Sequence, residues 1–363
     1  MCQTPTASGS GAELCFHIQR ETIEDRELVQ RDFSDESEAA SFSATDSGDT
    51  SSADDSSDSW LVDEYLLQHG LSRCVPVRLL GQGAMGRVEL VHVRPPPHQP
   101  DAAPILAARK TQPRSQDPHL RAKEDTVFGR ELEGLAAGRG SPFFVRQLAA
   151  AAHDDRQELL LELAEGDTLE EELSEALSAA PPGPLKQLLL APERIANVAA
   201  SLLSGLAEMH EQGLGHFDVK PPNLLLTREG RLMIGDTGCA ARADKDGNVQ
   251  APLPTGTPVY AAPETRAPQG VFHAARADVY SVGVLLAVCC AWHRTTGRVL
   301  AWQRGELALP TFIPAPLAHL ITQLTAKDPA QRPTARQALE HPFLAGVDVG
   351  ALAPLRCPGL PPR

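Results

Sequence analysis

The sequence predicts an α+β chain of two lobes, a small antiparallel β-sheet lobe with one main helix followed by a larger, mainly α-helical lobe. Three observations predict it. Val- and Leu-rich runs with strand character crowd the stretch between Cys74 and Glu162. One segment inside that stretch breaks the pattern, because Val127, Leu132 and Leu135 recur at helical spacing. Beyond Glu162 the apolar residues fall into long helical repeats. With 363 residues, 42% of them hydrophobic, the chain can fill one large domain or two lobes with separate cores.

The elements follow in order. Residues 34–59, SDESEAASFSATDSGDTSSADDSSDS, offer too little apolar surface to offset the entropy of ordering. Residues 1–65 are therefore expected to form a disordered acidic, Ser-rich tail, solvated or serving as a phosphorylation target or internal decoy. The compact domain is expected over 75–346, divided into lobes at 75–162 and 163–346, with a flexible tail at 347–363. CVPVRLLGQG and GRVELVHVR read as strands around a glycine turn, RPPPHQPDAAP as a proline-laden loop, and ILAARK as a third strand. TVFGRELEGLAAG is the helix; FFVRQLAAAAHDD and QELLLELAEGD are a further strand pair. SEALSAAPPGPLKQLLLAPER reads as a surface loop. ERIANVAASLLSGLAEMHEQG is a long amphipathic helix, DVYSVGVLLAVCCAW a nearly all-apolar one, and PLAHLITQLTA and TARQALEHPF two more. Trp292 and Trp302 read as packing residues.

Bulk properties exclude several classes. A formal net charge of −14 argues against nonspecific nucleic-acid binding or attraction to an acidic membrane. No apolar run approaches the roughly 20 residues of a membrane span, and the polar N-terminus lacks a signal-peptide pattern. The seven scattered cysteines favour reduced thiols, so a cytoplasmic or nuclear location is expected.

The chemistry starts at GHFDVKPPNLLL, residues 215–226. Two prolines after Lys220 forbid a continuous helix there. Asp218, Lys220 and Asn223 therefore sit on a stiff loop ahead of an extended segment. In LLGQGAMGRVEL, glycines let the backbone approach a polyphosphate, although on its own the pattern is weak and that stretch reads first as a plain glycine hairpin. A dinucleotide site fits poorly, because a strand rather than a helix follows. Lys110 ends a strand, where it can serve phosphates if an acid holds it; Glu131 is the first choice and Glu133 the rival. RLMIGDTG is an apolar strand ending in Asp236, well placed to bind a divalent cation.

The order Gly-x-Gly-x-x-Gly-x-Val, strand Lys, helix Glu, His-x-Asp-x-Lys-x-x-Asn, Asp-x-Gly, Ala-Pro-Glu, helix Asp and late Arg resembles the eukaryotic protein kinase domain. The resemblance spans about residues 75–346 and implies a two-lobed kinase fold with ATP and Mg²⁺ in the cleft. It implies that the loop of Leu80, Gly81, Gln82, Gly83, Ala84 and Gly86 lies on the nucleotide, its glycines covering the phosphates. Val88 and Ala108 would pack on adenine, with Leu161 as gatekeeper, Glu162 and Ala164 offering backbone groups, and Asp167 reaching the ribose. Lys110 would contact phosphates and pair with Glu131. Asp218 would orient the acceptor hydroxyl, Lys220 would neutralise the moving phosphoryl group, and Asn223 and Asp236 would hold magnesium. Glu264 would pair with Arg332, and Asp278 would brace the loop. Lys220, two residues after Asp218, and GTPVYAAPE, with Thr257 near both, resemble the branch acting on Ser and Thr of protein substrates.

Two positions depart from the family pattern. Phe217 replaces the Arg that normally receives an activation-loop phosphate, which implies independence from that phosphorylation. Thr237 replaces Phe of the Asp-Phe-Gly motif, implying a looser active arrangement or compensation by neighbours such as Phe217. An ATP-binding scaffold with weak or no transfer is the alternative, and an adaptor acting through the acidic tail a third. Cys239 is either a buried inert thiol or a reactive one. His216 reads as structural rather than as a base.

Overall fold

The computed structural model describes residues 70–83, 86–95, 104–183, 185–250, 256–266 and 270–354. The acidic tail, Ala84, Thr255, most of the RPPPHQPDAAP loop and residues 355–363 lie outside them. Strands β1 (Cys74–Gly83), β2 (Gly86–Val93), β3 (Ile105–Pro113), β4 (Gln147–Ala152) and β5 (Arg156–Glu162) make one sheet, ordered β1-β2-β3-β5-β4 and antiparallel throughout. Its register positions the chemistry. Lys110 stands opposite Val88 on one side and Leu159 on the other, while Ala108 stands between Leu90 and Leu161. Opposed residues share a face, and side chains alternate along a strand. Ala108, Lys110 and Gln112 therefore project from the same face as Val88 and Leu161.

Helix α1 (Pro118–Ala137) packs on that face, Phe128 and Leu135 meeting Leu159. It starts earlier than the apolar spacing indicates. Asp117 caps it by accepting hydrogen bonds from the His119 and Leu120 amides, and Pro118 suits the first turn. The first turns are polar and partly exposed, so no apolar periodicity marks them.

The second lobe has its own core, built from two long buried helices with others around them. Helix α2 (Leu169–Ala179) precedes them and opens on a capping box between Thr168 and Glu171. Helix α3 (Pro192–Glu211) buries most of its length. Helix α4 (Ala274–Ala287) continues through a π turn, Val288–Trp292. Together they span 19 residues, enough by length and composition to cross a membrane, yet Arg276 and Asp278 interrupt the apolar residues and the helix is largely covered by protein as the core helix. Two carbonyls of the π turn accept hydrogen bonds from outside the helix. Leu190 N–H donates to Cys289 O at 3.3 Å and Leu189 N–H to Cys290 O at 2.7 Å. Residues 174–194 are thus not simply a surface loop. They finish α2, and Leu190 is buried. Helices α5 (Thr296–Gln303), α6 (Ala315–Leu324) and α7 (Ala335–Leu339) complete the lobe, and Trp292 packs against Trp302 with ring centroids 5.3 Å apart.

Short strand pairs carry the loops between lobes: β6 (Leu214–Gly215) with β9 (Ala241–Arg242), β7 (Leu224–Leu226) with β8 (Leu232–Ile234), and β10 (Asn248–Gln250) with β11 (Val271–His273). Strand β8 is also stitched to the segment before β4. Val145 N–H donates to Ile234 O at 2.9 Å, and Ile234 N–H to Phe143 O at 2.7 Å. These bonds fix the loop carrying Asp236 relative to the first lobe.

Candidate active site

Between the lobes lies a cleft of about 780 Å³, its open mouth included. Leu80, Val88, Ala108, Val145, Leu161, Leu163 and Leu225 give it apolar walls, and Lys110, Glu131, Asn223 and Asp236 gather at one side. Lys110 Nζ donates to Glu131 Oε1 at 2.5 Å and to Asp236 Oδ1 at 3.3 Å. The rival acid, Glu133, faces outward and pairs with Arg242 at 2.7 Å. Burial works against the Lys110 cation, but Asp236 and Glu131 outweigh it and hold its pKa above the ordinary lysine value. Lys110 in turn holds Asp236 below the usual carboxylate range, against the opposing effect of burial. Glu131 moves the other way, because its burial exceeds the help Lys110 gives its charged form.

The stiff loop predicted from its prolines is a single 3₁₀ turn, Pro221–Asn223, leading into β7. Its residues form one network. Asp218 Oδ1 accepts from the Thr257 amide at 3.0 Å and the Thr257 hydroxyl at 2.7 Å. Asp218 Oδ2 lies 2.9 Å from Lys220 Nζ and 3.1 Å from Asn223 Nδ2. Lys220 also donates to Thr257 Oγ1 at 2.9 Å, the contact expected from GTPVYAAPE. With its amide nitrogen committed to Asp218, Asn223 has its Oδ1 oxygen as the donor for a cation.

Two residues beside these groups have left-handed backbones, Phe217 at φ 62° and Asp236 at φ 50°. A bulky aromatic there is strained unless its surroundings over-determine it. Asp278 does so. Its Oδ1 accepts from the Phe217 amide at 2.8 Å, and its Oδ2 from the His216 amide at 2.8 Å, with His210 Nε2 also at 2.8 Å. His216 is structural: its Nδ1 accepts from the Asp218 amide at 3.3 Å, which leaves Nε2–H for Gly235 O at 3.2 Å. Deeper in the second lobe, Arg332 meets Glu264 through two bonds of 2.6 and 3.0 Å. Cys239 is inert at neutral pH, since burial pushes its thiol up to about 12 and little thiolate forms.

Some predicted residues fall elsewhere. Gln82, Gly83 and Gly86 border a separate hollow with Arg87, Thr111, Pro113, Asp155 and Arg156, while Gly81 lines the main cleft. Asp167 is not among the cleft-lining residues; its carbonyl accepts from the Leu226 amide at 2.9 Å. The Glu162 amide donates to Arg146 O at 2.8 Å, so that group is already engaged within the fold. Val145, Leu163, Pro222, Leu225 and Gly235 line the cleft without having been singled out. Leu225 was legible from alternation after Asn223, whereas Val145 lies outside any strand.

A family profile described as protein kinase domain matches residues 75–344. Among curated proteins, the chain is similar to CBL-interacting protein kinase 22 of Oryza sativa subsp. japonica, at 30% identity over 74% of this chain and 60% of that protein. It is also similar to Serine/threonine-protein kinase GRIK1 of Arabidopsis thaliana, at 34% identity over 43% of this chain and 40% of that protein. Ribosomal protein S6 kinase 2 alpha of Gallus gallus matches at 27% over 75% of this chain and 35% of its own length. The chain thus spans 60% or less of the length of these relatives. With the profile running through both lobes and all the cleft groups described above, the chain belongs to the protein kinase domain family.

Proposed function

We propose that the chain is a protein serine/threonine kinase, transferring the γ-phosphoryl group of ATP to Ser and Thr hydroxyls of protein substrates. The observation carrying this reading is that one amine, two carboxylates and an amide from distant parts of the sequence meet at a single cleft, with Lys110 3.3 Å from Asp236. The cleft suits the nucleotide, having apolar walls for a base at Val88, Ala108, Leu161 and Leu225 and a buried cation beyond them. Asp236 and the Asn223 oxygen are hard donors, the kind magnesium prefers. Bound ATP–magnesium would supply the transferable phosphoryl group and a cationic clamp on its oxygens.

The chain's own residues do the rest by positioning and charge. Lys110, fixed by Glu131, would hold phosphate oxygens. Asp218, its two oxygens oriented by Thr257, Lys220 and Asn223, would accept or align the acceptor hydroxyl proton. Lys220, shared between Asp218 and Thr257, would neutralise charge on the moving group. Its bridge to Thr257 supports Ser and Thr as acceptors.

The test is transfer of labelled phosphate from ATP–magnesium to a generic protein, with Asp218→Ala as control. We expect phosphoserine and phosphothreonine, and a loss of about 10²- to 10⁴-fold in the variant. Equal signal from both proteins would remove the enzyme assignment. Nucleotide binding without transfer would favour the scaffold. Deletion of residues 1–65 tests the adaptor reading, which requires partner binding to vanish while the fold stays.

A further inference from the structure

We infer that Gln112 and Thr237 are positioning residues that dock helix α1, so that the Lys110–Glu131 pair is built into the resting fold; the inference rests on the kinase reading of that pair. Glu131 is held at three atoms. Lys110 takes Oε1 at 2.5 Å, Gln112 Nε2 donates to Oε2 at 3.3 Å, and Thr237 Oγ1 donates to the Glu131 backbone carbonyl at 2.9 Å. Gln112 follows Lys110 by two residues on β3 and shares its face, which brings both donors to one carboxylate. A carboxylate this buried is costly with an oxygen unpaired, and Gln112 removes that cost.

Thr237 acts from the other side. It is fully buried, and a Cβ on Gly134, three residues past Glu131, would lie 2.4 Å from Thr237 Cβ. Helix and loop touch at two small residues, and the space where the family carries Phe is closed by the helix's approach. The arrangement is therefore tight at this point, not loose as the substitution by itself implied. Phe217 does not compensate, because its ring packs on Phe272. Helix α1 has few large apolar anchors, Phe128 and Leu135 with the partly buried Leu132 against Leu159 and Leu161, and the small Ala137 at its end. Polar contacts at Glu131 consequently carry much of its docking.

Amide hydrogen exchange on the full chain without nucleotide tests this directly. Thr237→Val keeps the shape and loses the hydroxyl, Thr237→Ser keeps the hydroxyl, and Gln112→Met removes the donor at similar length. We expect amides of residues 120–137 to exchange about three- to tenfold faster in Thr237→Val and in Gln112→Met, with α4 unchanged and Thr237→Ser close to the parent. A fluorescent nucleotide analogue should bind those two variants more weakly by a similar factor. Thr237→Phe, the family residue, should loosen α1 as well, since Gly134 leaves no room. Unchanged α1 exchange in Thr237→Val and Gln112→Met would overturn the inference. Equal loosening in Thr237→Ser, or a rise spread evenly over both lobes, would also overturn it. Exchange needs no catalysis, so an inactive but α1-protected chain would sink the kinase reading while leaving the docking intact.

Discussion

The Phe217 ring meets Phe272 edge-on, centroids 5.4 Å apart at 88°, where the family pattern would place an arginine awaiting a phosphate. Nearby, Gly256 at φ 85° sits so close that a Cβ would lie 2.2 Å from Phe217 O, a conformation and an approach that favour glycine. Phe272 belongs to β11, which pairs with β10, so Asn248–Gln250 are held by backbone bonds and Phe217 by apolar packing, with no phosphate required by either contact. Phosphatase treatment should therefore leave transfer activity unchanged. Phe272→Ala should instead lower unfolding free energy by about 3 kcal/mol in denaturant titration. Strong activity loss confined to Thr255→Ala would contradict this account.

How much of this was legible depended on whether the signal was local. Strand β1 was readable to the residue, because Val and Leu alternation ends at a glycine turn. The loop at Asp218 was readable from two prolines. Leu135, four residues on, marks the buried face of α1 and favours Glu131 over Glu133 as the Lys110 partner, and the structure pairs Lys110 with Glu131; only helix rotation against the sheet separates the candidates. Thr237 was seen as a gap because its match, Gly134, lies about a hundred residues away, and nothing in either local sequence records the distance between them. Helix α2 carried a readable sign, Thr168 three residues before Glu171, but its proline-rich continuation masked it.

Arg332 is fully buried, sits over the Tyr280 ring at 4.7 Å, and donates to Glu264, Ala326 O and Arg276 O. Removing it strands the Glu264 carboxylate and two carbonyls together. Arg332→Ala should cost about 3–5 kcal/mol of stability, read from the denaturant midpoint. Arg332→Lys should recover little, because an ammonium cannot make the two-pronged contact. Transfer activity measured well below the new melting temperature should fall far less than stability does.

His293 joins α2 to the end of α4, its Nε2 3.1 Å from Ser174 Oγ. Burial, with Arg294 adding to it, lowers its pKa from 6.5 to about 4, although Glu170 at 3.6 Å favours the charged ring. The unfolded chain takes up this proton as pH falls below the ordinary histidine value, while the folded chain refuses it. Stability from the neutral ring is thus whole above about pH 6.5 and lost on acidification toward pH 4. By pH 5 the loss should be on the order of 2 kcal/mol. Chemical denaturation at pH 7 and pH 5 checks it: His293→Gln should flatten the difference relative to the parent, and identical slopes would refute the assignment.

Thr257 bonds at once to a carboxylate and an amine that the proposed reaction requires, 2.7 Å from Asp218 and 2.9 Å from Lys220. Its amide adds a second bond to Asp218, which any residue but proline would keep. Thr257→Val therefore removes the hydroxyl bridge while leaving the backbone anchor and the volume. Both catalytic candidates would then be free to drift by fractions of an ångström, and misplacement on that scale can cost about 100-fold in rate. We expect kcat to fall about 10- to 100-fold, with little change in nucleotide KM or melting temperature, because the adenine walls and the core are untouched. Thr257→Ser should restore most of the rate. A Val variant that instead lost nucleotide affinity at unchanged kcat would mean that the bridge serves binding, and that Asp218 and Lys220 hold their positions without it.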